Sequence, residues 1–371
     1  MLLPVQVFRN LLPLLAITVV FLLTSACTQL GPDFVKRGRN DYNQVIAQTD
    51  NEEALLNLVR LRYADNPVFL EVANITTSFT WDRSLQLEVD EFEPESTNDK
   101  FGIDGNIEYT ERPTITYIPL GGADFVRNVL TPIDIDSLLL LSHSGWSIER
   151  LLRVMANRMN GVNNAQEASG PTPDKAPLFA DFITAARTMR TLQEKGSITF
   201  GYRELGKKTV PAMRIESDAL GSTELCTLVA ILGLRPSQQI LTLDVAARHP
   251  RPDAIGIELR SLAGIMFFLS HGVDVPERDL AAGRVTVTKN NDGDPFDWQL
   301  VVGDLLDIKS QDSPPVNAAV AIEYRGSWFY IDDSDLQSKY TFMLLGQLSA
   351  LQAGNIKRAG PVLTMPVSSS Q

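Results

Sequence analysis

Residues able to do chemistry are few in this chain and widely spread. The three histidines are His143, followed by Ser144-Gly145-Trp146, His249, in His249-Pro250-Arg251-Pro252, and His271, which ends an apolar run. Ser142 or Ser144 beside His143 suggests a nucleophile and its base, yet triads are assembled across a fold rather than between sequence neighbours. His271 suits the last turn of a helix, where an imidazolium complements the dipole. No Gly-x-Ser-x-Gly elbow, His-Glu-x-x-His pair, Gly-x-x-x-x-Gly-Lys loop or dinucleotide fingerprint occurs. The sharpest acidic cluster is Asp332-Asp333-Ser334-Asp335. Asp332, Asp333 and Asp335 could hold a ligand or cation, or serve a hydrolase as acid and base. The same residues also suit a helix N-terminus. Thr288 to Asp294 has the look of a calcium loop, but Thr288 holds the first ligand position and Gln299 the place of the bidentate Glu, so a hairpin turn is the simpler expectation. Trp146 and Trp328 could act as platforms for a ligand. No metal and no cofactor is expected.

The elements that would position these residues are mixed. Asp50 and Glu53 have capping-box spacing, and Leu55, Leu58, Val59 and Arg62 line a helix from about Asn51 to Tyr63. The period then becomes two. Strands are predicted through Ile75 to Phe79 and through Leu85, Leu87 and Val89, joined near Trp81-Asp82-Arg83, with another pair at Ile103 to Tyr109 and Thr114 to Ile118. Helices follow at Ala123 to Leu130 and Asp136 to Leu141. Ser147 can cap a further one on which Ile148, Leu151, Leu152, Met155 and Met159 share a face, with Arg150, Arg153 and Arg158 largely off it as a solvated basic stripe. Later come a helix from Phe179 to Gly196, a hairpin setting Ile198, Phe200 and Tyr202 against Val210 and Met213, and an apolar helix in which Cys226 acts as a small hydrophobe. A strand at Ile240 to Val245 and a long helix from about Ile257 to His271 follow. The C-terminal part shows a hairpin reversing at Arg325-Gly326, then a helix capped by Ser334 and Gln337 and bearing Leu336, Tyr340, Met343, Leu344 and Leu348. A last edge strand lies within Gly360 to Val367. Without a strict βαβ rhythm, the expectation is an α+β fold with mainly antiparallel strands, in one large or two closely packed domains.

Met1 to Cys27 differs from all of this. Arg9 precedes the apolar run Leu11 to Leu23, which closes on Thr24-Ser25-Ala26-Cys27. A charged start, an apolar middle and a small-residue end make an export signal, too short to be a comfortable spanning helix. The closing tetrapeptide resembles the lipobox of bacterial lipoproteins, with Thr24 where that family usually has Leu. The resemblance implies that Cys27 is diacylated and becomes the mature N-terminus. Acyl chains then hold the protein on a bilayer, at about 0.8 kcal/mol per buried methylene. Thr28 follows where an Asp would signal inner-membrane retention, so outer-membrane residence is implied. Leu56-Asn57-Leu58-Val59-Arg60-Leu61-Arg62-Tyr63, Gly145-Trp146-Ser147-Ile148, Asn160-Gly161, Arg260-Ser261-Leu262, Trp328-Phe329-Tyr330-Ile331-Asp332-Asp333 and Pro361 to Pro366 resemble a group of functionally uncharacterised Gram-negative lipoproteins. That resemblance spans nearly the whole mature chain and implies no activity and no site residues. Tyr324 to Asp333 is also similar to the hairpin near the catalytic histidine of papain-like ubiquitin hydrolases, with Asn317-Ala318 where that histidine would stand.

The net charge of −12 is dispersed, which disfavours nucleic acid as a partner. The acidic run Glu88 to Glu95 reads as a strand end or loop. With Cys27 lipidated, Cys226 is the other of two cysteines and no intrachain disulfide can form. The expected organisation is a signal peptide at 1–26, a flexible tether at 27–40, an α+β domain at 41–162, a linker at 163–177 and a second α+β domain at 178–371. The functional expectation is an outer-membrane-anchored periplasmic lipoprotein with a structural, assembly or adaptor role beside an envelope protein partner. The alternatives are an envelope hydrolase acting on glycan or peptide through the Asp332 cluster, and a ligand-binding module.

Overall fold

The computed structural model describes residues 30–89, 101–119, 123–235, 237–245, 251–353 and 363–366. The signal peptide with Cys27, His249 and the acidic run from Asp90 onward lie outside these residues. The fold is α+β. The chain divides into two units, Met1–Glu53 and Ala54–Gln371.

Helix α1 covers Leu30–Arg62, so the chain expected to be a tether is helical from Leu30. Gly31-Pro32 falls in its first turn, where a proline's missing N–H would have had no helical partner in any case. Strands β1 (Leu70–Val89) and β2 (Phe101–Pro119) then form one long antiparallel ribbon in place of two short pairs. Trp81-Asp82-Arg83 is not a turn. It holds no glycine or proline, and Trp81 pairs with Tyr109 in unbroken register. A bulge between Val72 and Asn74 shifts the register by one residue. Val72 stays opposite Tyr117 while Ile75 falls opposite Ile115, so the apolar positions on either side of the bulge keep to one face of the ribbon.

Helices α2 (Ala123–Leu130), α3 (Ile135–His143) and α4 (Ile148–Met155) follow. The helix expected to reach Met159 ends at Met155, because Ala156 turns to an extended backbone and opens β3 (Ala156–Met159). Next come β4 (Val162–Asn163), a short 3₁₀ turn at Gln166–Ser169, α5 (Ala180–Glu194), β5 (Ile198–Leu205), β6 (Lys208–Ile215), α6 (Thr223–Leu232) and β7 (Ile240–Asp244). The long helix expected from Ile257 is instead β8 (Ala254–Leu259) followed by α7 (Leu262–Ser270). Ser261 Oγ accepts from Gly264 N at 3.1 Å and starts α7 there. Two short helices, α8 (Glu277–Ala281) and α9 (Gln299–Val302), lead to β9 (Lys309–Gln311). Then come β10 (Ala318–Tyr324), β11 (Ser327–Asp332), α10 (Leu336–Ala353) and β12 (Leu363–Pro366). The β10–β11 hairpin turns as expected at Arg325 and Gly326, both at positive φ.

Three sheets result among the described residues, in the orders β1-β2-β12, β10-β11-β9 and β4-β3-β8-β7-β6-β5. Only β7 and β8 run parallel. The largest sheet takes strands from both sides of 163–177, and Asn164, Ala165 and Ala168 are buried, so that segment belongs to the core instead of separating two domains. Thr288 to Asp294 makes the expected turn, with Asn290 Oδ1 accepting from the backbone of Asp292 and Asp294. Cys226 is exposed, contrary to the reading of it as a packed hydrophobe. The apolar face of α6 is carried by Leu225, Leu228 and Leu232.

The centre of the body is held by a cation. Arg260 is buried at 1% exposure, and its guanidinium lies 3.9 Å from the Phe268 ring centroid. It donates to Arg153 O (2.9 Å), Val154 O (3.1 Å), Ser169 Oγ (2.8 Å) and Asn164 O. Two of these acceptors are last-turn carbonyls of α4, which have no helical partner and carry the negative end of its dipole. Asn164 Nδ2 serves the same helix end through Arg153 O and Ala156 O. Burial pushes the guanidinium pKa down to about 9, so the group stays charged at neutral pH. Arg260→Met keeps much of the bulk and removes every donor. It should cost about 3 kcal/mol or more, read as a fall in the urea midpoint. A loss below about 1 kcal/mol would mean that the carbonyls find other donors.

Candidate functional site: an arginine-lined cleft

Helix α4 is placed by what it buries. Ile148, Leu151, Leu152 and Met155 are all within the core, as their spacing implies. Ser147 makes no side-chain capping bond. The first N–H of the helix, Ile148 N, donates instead to Gln193 Oε1 of α5 at 3.1 Å. Pinned at one end by α5 and at the other by Arg260, α4 presents Glu149, Arg150 and Arg153 to a cleft of about 770 Å³. Ser144, Gly145, Trp146 and Ser147 from the α3–α4 connection, Arg190 from α5, and Asp304 and Leu305 after α9 line it as well. Gln337, Tyr340, Met343 and Gln347 of α10 complete the lining.

The floor of this cleft is an ion-pair network. Arg153 is 2% exposed, so it is not part of a solvated stripe. Its Nη1 donates to Glu149 Oε1 (3.1 Å) and Asp304 Oδ2 (2.8 Å), and its Nη2 to Asp304 Oδ1 and Val301 O. Arg187 reaches the same Asp304 Oδ2 at 2.8 Å. Burial alone would raise the Asp304 pKa, but the hydrogen bonds and charges of Arg153 and Arg187 outweigh it and hold the pKa near 2. Arg150 donates to Gln337 O at 3.0 Å and to the side chains of Gln337 and Thr341, with its guanidinium 5.9 Å from the Tyr340 ring centroid. Arg190 is held by Gln193 (3.0 Å) and Glu194 (2.8 Å). Trp146 Nε1 donates to Gln347 Oε1 at 3.1 Å, which fixes the indole against α10.

The acidic groups of the cleft are engaged in ion pairs. Asp304 is ionised and doubly paired, and Glu149 Oε1 accepts from Arg153 and Arg187. His143 Nε2 bonds Phe200 O at 2.8 Å, and Ser144 Oγ donates to Leu140 O at 2.8 Å, so the neighbouring pair His143 and Ser144 is not a catalytic couple. His271 is buried and neutral, not the imidazolium expected. Burial pushes its pKa down to about 3, with the charge of Arg62 adding to the effect. Its Nδ1–H donates to Phe267 O at 2.8 Å, and its ring lies tilted at 41° against that of Trp298, with centroids 3.8 Å apart.

The Asp332 cluster does not converge on a site. Asp332 Oδ1 accepts from Ser334 N and Oγ, and its Oδ2 pairs with Lys309 at 3.4 Å. Asp333 pairs with Lys339 at 2.5 Å. Asp335, not Ser334, caps α10 by accepting from Gln337 N and Ser338 N, both at 3.1 Å. Among the described residues no group of His, Cys, Asp and Glu has the arrangement of a metal site. Trp328 lies in β11 opposite Glu323 and Gln311 and does not line the cleft, whereas Trp146 does. On α10, Leu344 and Leu348 enter the core, while Leu336 is exposed and Tyr340 and Met343 turn to the cleft. The cleft arginines were visible in the sequence only as charges off an apolar face. Asp304 carried no signal, because its partner lies far away in the chain.

Removing Asp304 leaves a buried guanidinium short of charge. Asp304→Ala should lower stability by about 2 kcal/mol, whereas Arg187→Ala, at an exposed position, should cost under about 1 kcal/mol. The folded pKa of Asp304 lies below its usual 3.8, so its contribution is complete above about pH 4 and is lost as pH falls toward 2. Urea midpoints of wild type and Asp304→Ala should therefore converge across that window. No family model, no curated protein and no solved structure matches the chain.

Proposed function

We propose that this chain is an outer-membrane-anchored lipoprotein on the periplasmic face, acting as a structural, assembly or adaptor component of an envelope complex. The observation that carries this reading is the ribbon. Among the described residues, strand β1 is the edge of its sheet along all of Leu70–Val89, and β12 covers only Thr114 to Tyr117 of β2. Folded proteins usually shorten, bend or cover such edges, since a long uncovered one pairs with other chains. The tetrapeptide ending at Cys27 supports the membrane address, and the pairing of Asp304 with two arginines and of Asp332 and Asp333 with lysines supports a role without catalysis. Cells fed an alkyne analogue of palmitate should label the wild-type protein. Cys27→Ser should lose the label and fail to reach the outer-membrane fraction. Wild-type protein carrying no acyl group would sink the anchor.

The cleft supports a second reading, a binder of polar, ring-bearing ligands such as envelope glycan fragments. Trp146 and Tyr340 offer aromatic faces beside Arg150 and Gln347, the combination of apolar wall and fixed polar groups that orients such ligands. Glycan fragments should then change tryptophan fluorescence in wild type and not in Trp146→Phe. An identical response in both would exclude this site.

A further inference from the structure

The proposed envelope role leaves open what meets the ribbon, and the register of its distal half answers that. Trp81 pairs with Tyr109, Arg83 with Ile107, Leu85 with Gly105, Leu87 with Ile103 and Val89 with Phe101. Directly opposed residues share a face, so all of these positions lie on one side. The intervening positions form the other side: Asp82, Ser84, Gln86 and Glu88 stand opposite Glu108, Asn106, Asp104 and Gly102. One face is therefore apolar with a single charge, and the other is polar at every position except Gly102. Trp81–Val89 and Phe101–Tyr109 are nine residues each. At about 3.4 Å per residue and a tilt of about 40°, they rise about 23 Å, close to the apolar band of an outer-membrane barrel at about 25 Å.

The ends of this stretch fit the same thickness. Trp81 and Tyr109 sit side by side at one end and Phe101 at the other, as aromatic residues do at the two interfaces of a bilayer. Arg83 stands two residues inside the Trp81 end, where a long cation reaches the headgroups. Beyond the other end the sequence is acidic at Asp90, Glu91, Glu93, Glu95 and Asp99, which suits water. Both edges of this half are unpaired among the described residues, since β12 stops at Thr114. Unpaired N–H and C=O groups are not tolerated in hydrocarbon, and one hairpin cannot close on itself. Identical hairpins can, each β1 pairing antiparallel with the β2 of the next copy around a ring.

From this geometry we infer that the partner is further copies of this chain, and that each copy contributes its distal hairpin to a shared β-barrel in the outer membrane. The lipid faces the Leu85–Leu87–Val89 side and the polar side faces an aqueous lumen. The smallest bacterial barrels have about eight strands, so about four copies or more are required. This inference rests on the envelope reading for the membrane and adds the identity of the partner.

The test uses full-length lipidated protein in phosphatidylethanolamine and phosphatidylglycerol vesicles, in a Cys226→Ser background. Single-cysteine variants Ser84→Cys and Gln86→Cys should react with a membrane-impermeant maleimide at least about ten times faster than Leu85→Cys and Leu87→Cys. Leu87→Asp should abolish the SDS-resistant oligomer of four or more copies, and Gln86→Asp should retain it. Far-UV circular dichroism of both variants checks that the body is folded. Equal labelling at all four positions, or a wild-type protein that stays monomeric in the vesicles, overturns the barrel and leaves the anchor standing. Absence of acyl groups on Cys27 removes the anchor; labelling is then read in a Cys27→Ser, Cys226→Ser background, where the alternation still reports on the barrel.

Discussion

The centre of this protein's body is held by a buried positive charge that has no carboxylate paired with it among the described residues. Arg260 is neutralised by partial charges: two carbonyls at the end of α4, a third from Asn164, a serine hydroxyl and the face of Phe268. A guanidinium suits this task because its donors radiate in a plane and can be shared among acceptors from separate segments, which an ammonium cannot match. The acceptors come from α4, from the chain after β4 and from the 3₁₀ turn, and the arginine itself sits between β8 and α7. One side chain therefore ties the helical layer to the six-stranded sheet. Asn160 plays a similar part on the neighbouring strands, bonding Leu232 O, Ala254 O and Gly256 N.

The cleft inherits its rigidity from that tie. Because both ends of α4 are held, the arginines it presents have little freedom, and most of their hydrogen-bonding capacity is already taken by Asp304, Glu149, Gln337 and Thr341. Catalytic acids and bases need pKa values near the working pH. In the cleft, the hydrogen bonds and charges of Arg153 and Arg187 move Asp304 in the opposite direction, deeper into its ionised form. The cleft thus sets fixed charge beside an indole and a phenol.

The ribbon obeys a different logic. The buried cations of the body are held by hydrogen bonds from within it, whereas β1 has one edge without a partner among the described residues. The bulge between Val72 and Asn74 keeps the alternation in phase on either side of it, and Glu111, opposite Phe79, interrupts the apolar face just beyond Trp81 and Tyr109. A two-stranded ribbon is marginal in water by itself, so its sidedness is best understood through what it would pair with and face.

Local grammar was legible in the sequence wherever neighbours along the chain decide the outcome. The Arg325-Gly326 hairpin, the β5–β6 hairpin, helix α5 and the mixed α+β class all follow from turn residues and periodicity. Errors arose where a distant segment outweighed local preference. The apolar stretch before Arg260 reads equally well as helix, and it became a strand because β7 and β3 flank it. Residues 163–177 look like a linker by composition, yet Asn164 is needed inside to finish α4. Arg153 looked solvated until Asp304 arrived from the other end of the chain. The alternation that gives the ribbon its two faces was a property of the sequence alone. That its strands run unbroken, in register, with one edge open, was decided only by the tertiary structure, because pairing energy is shared between strands and neither strand encodes it alone.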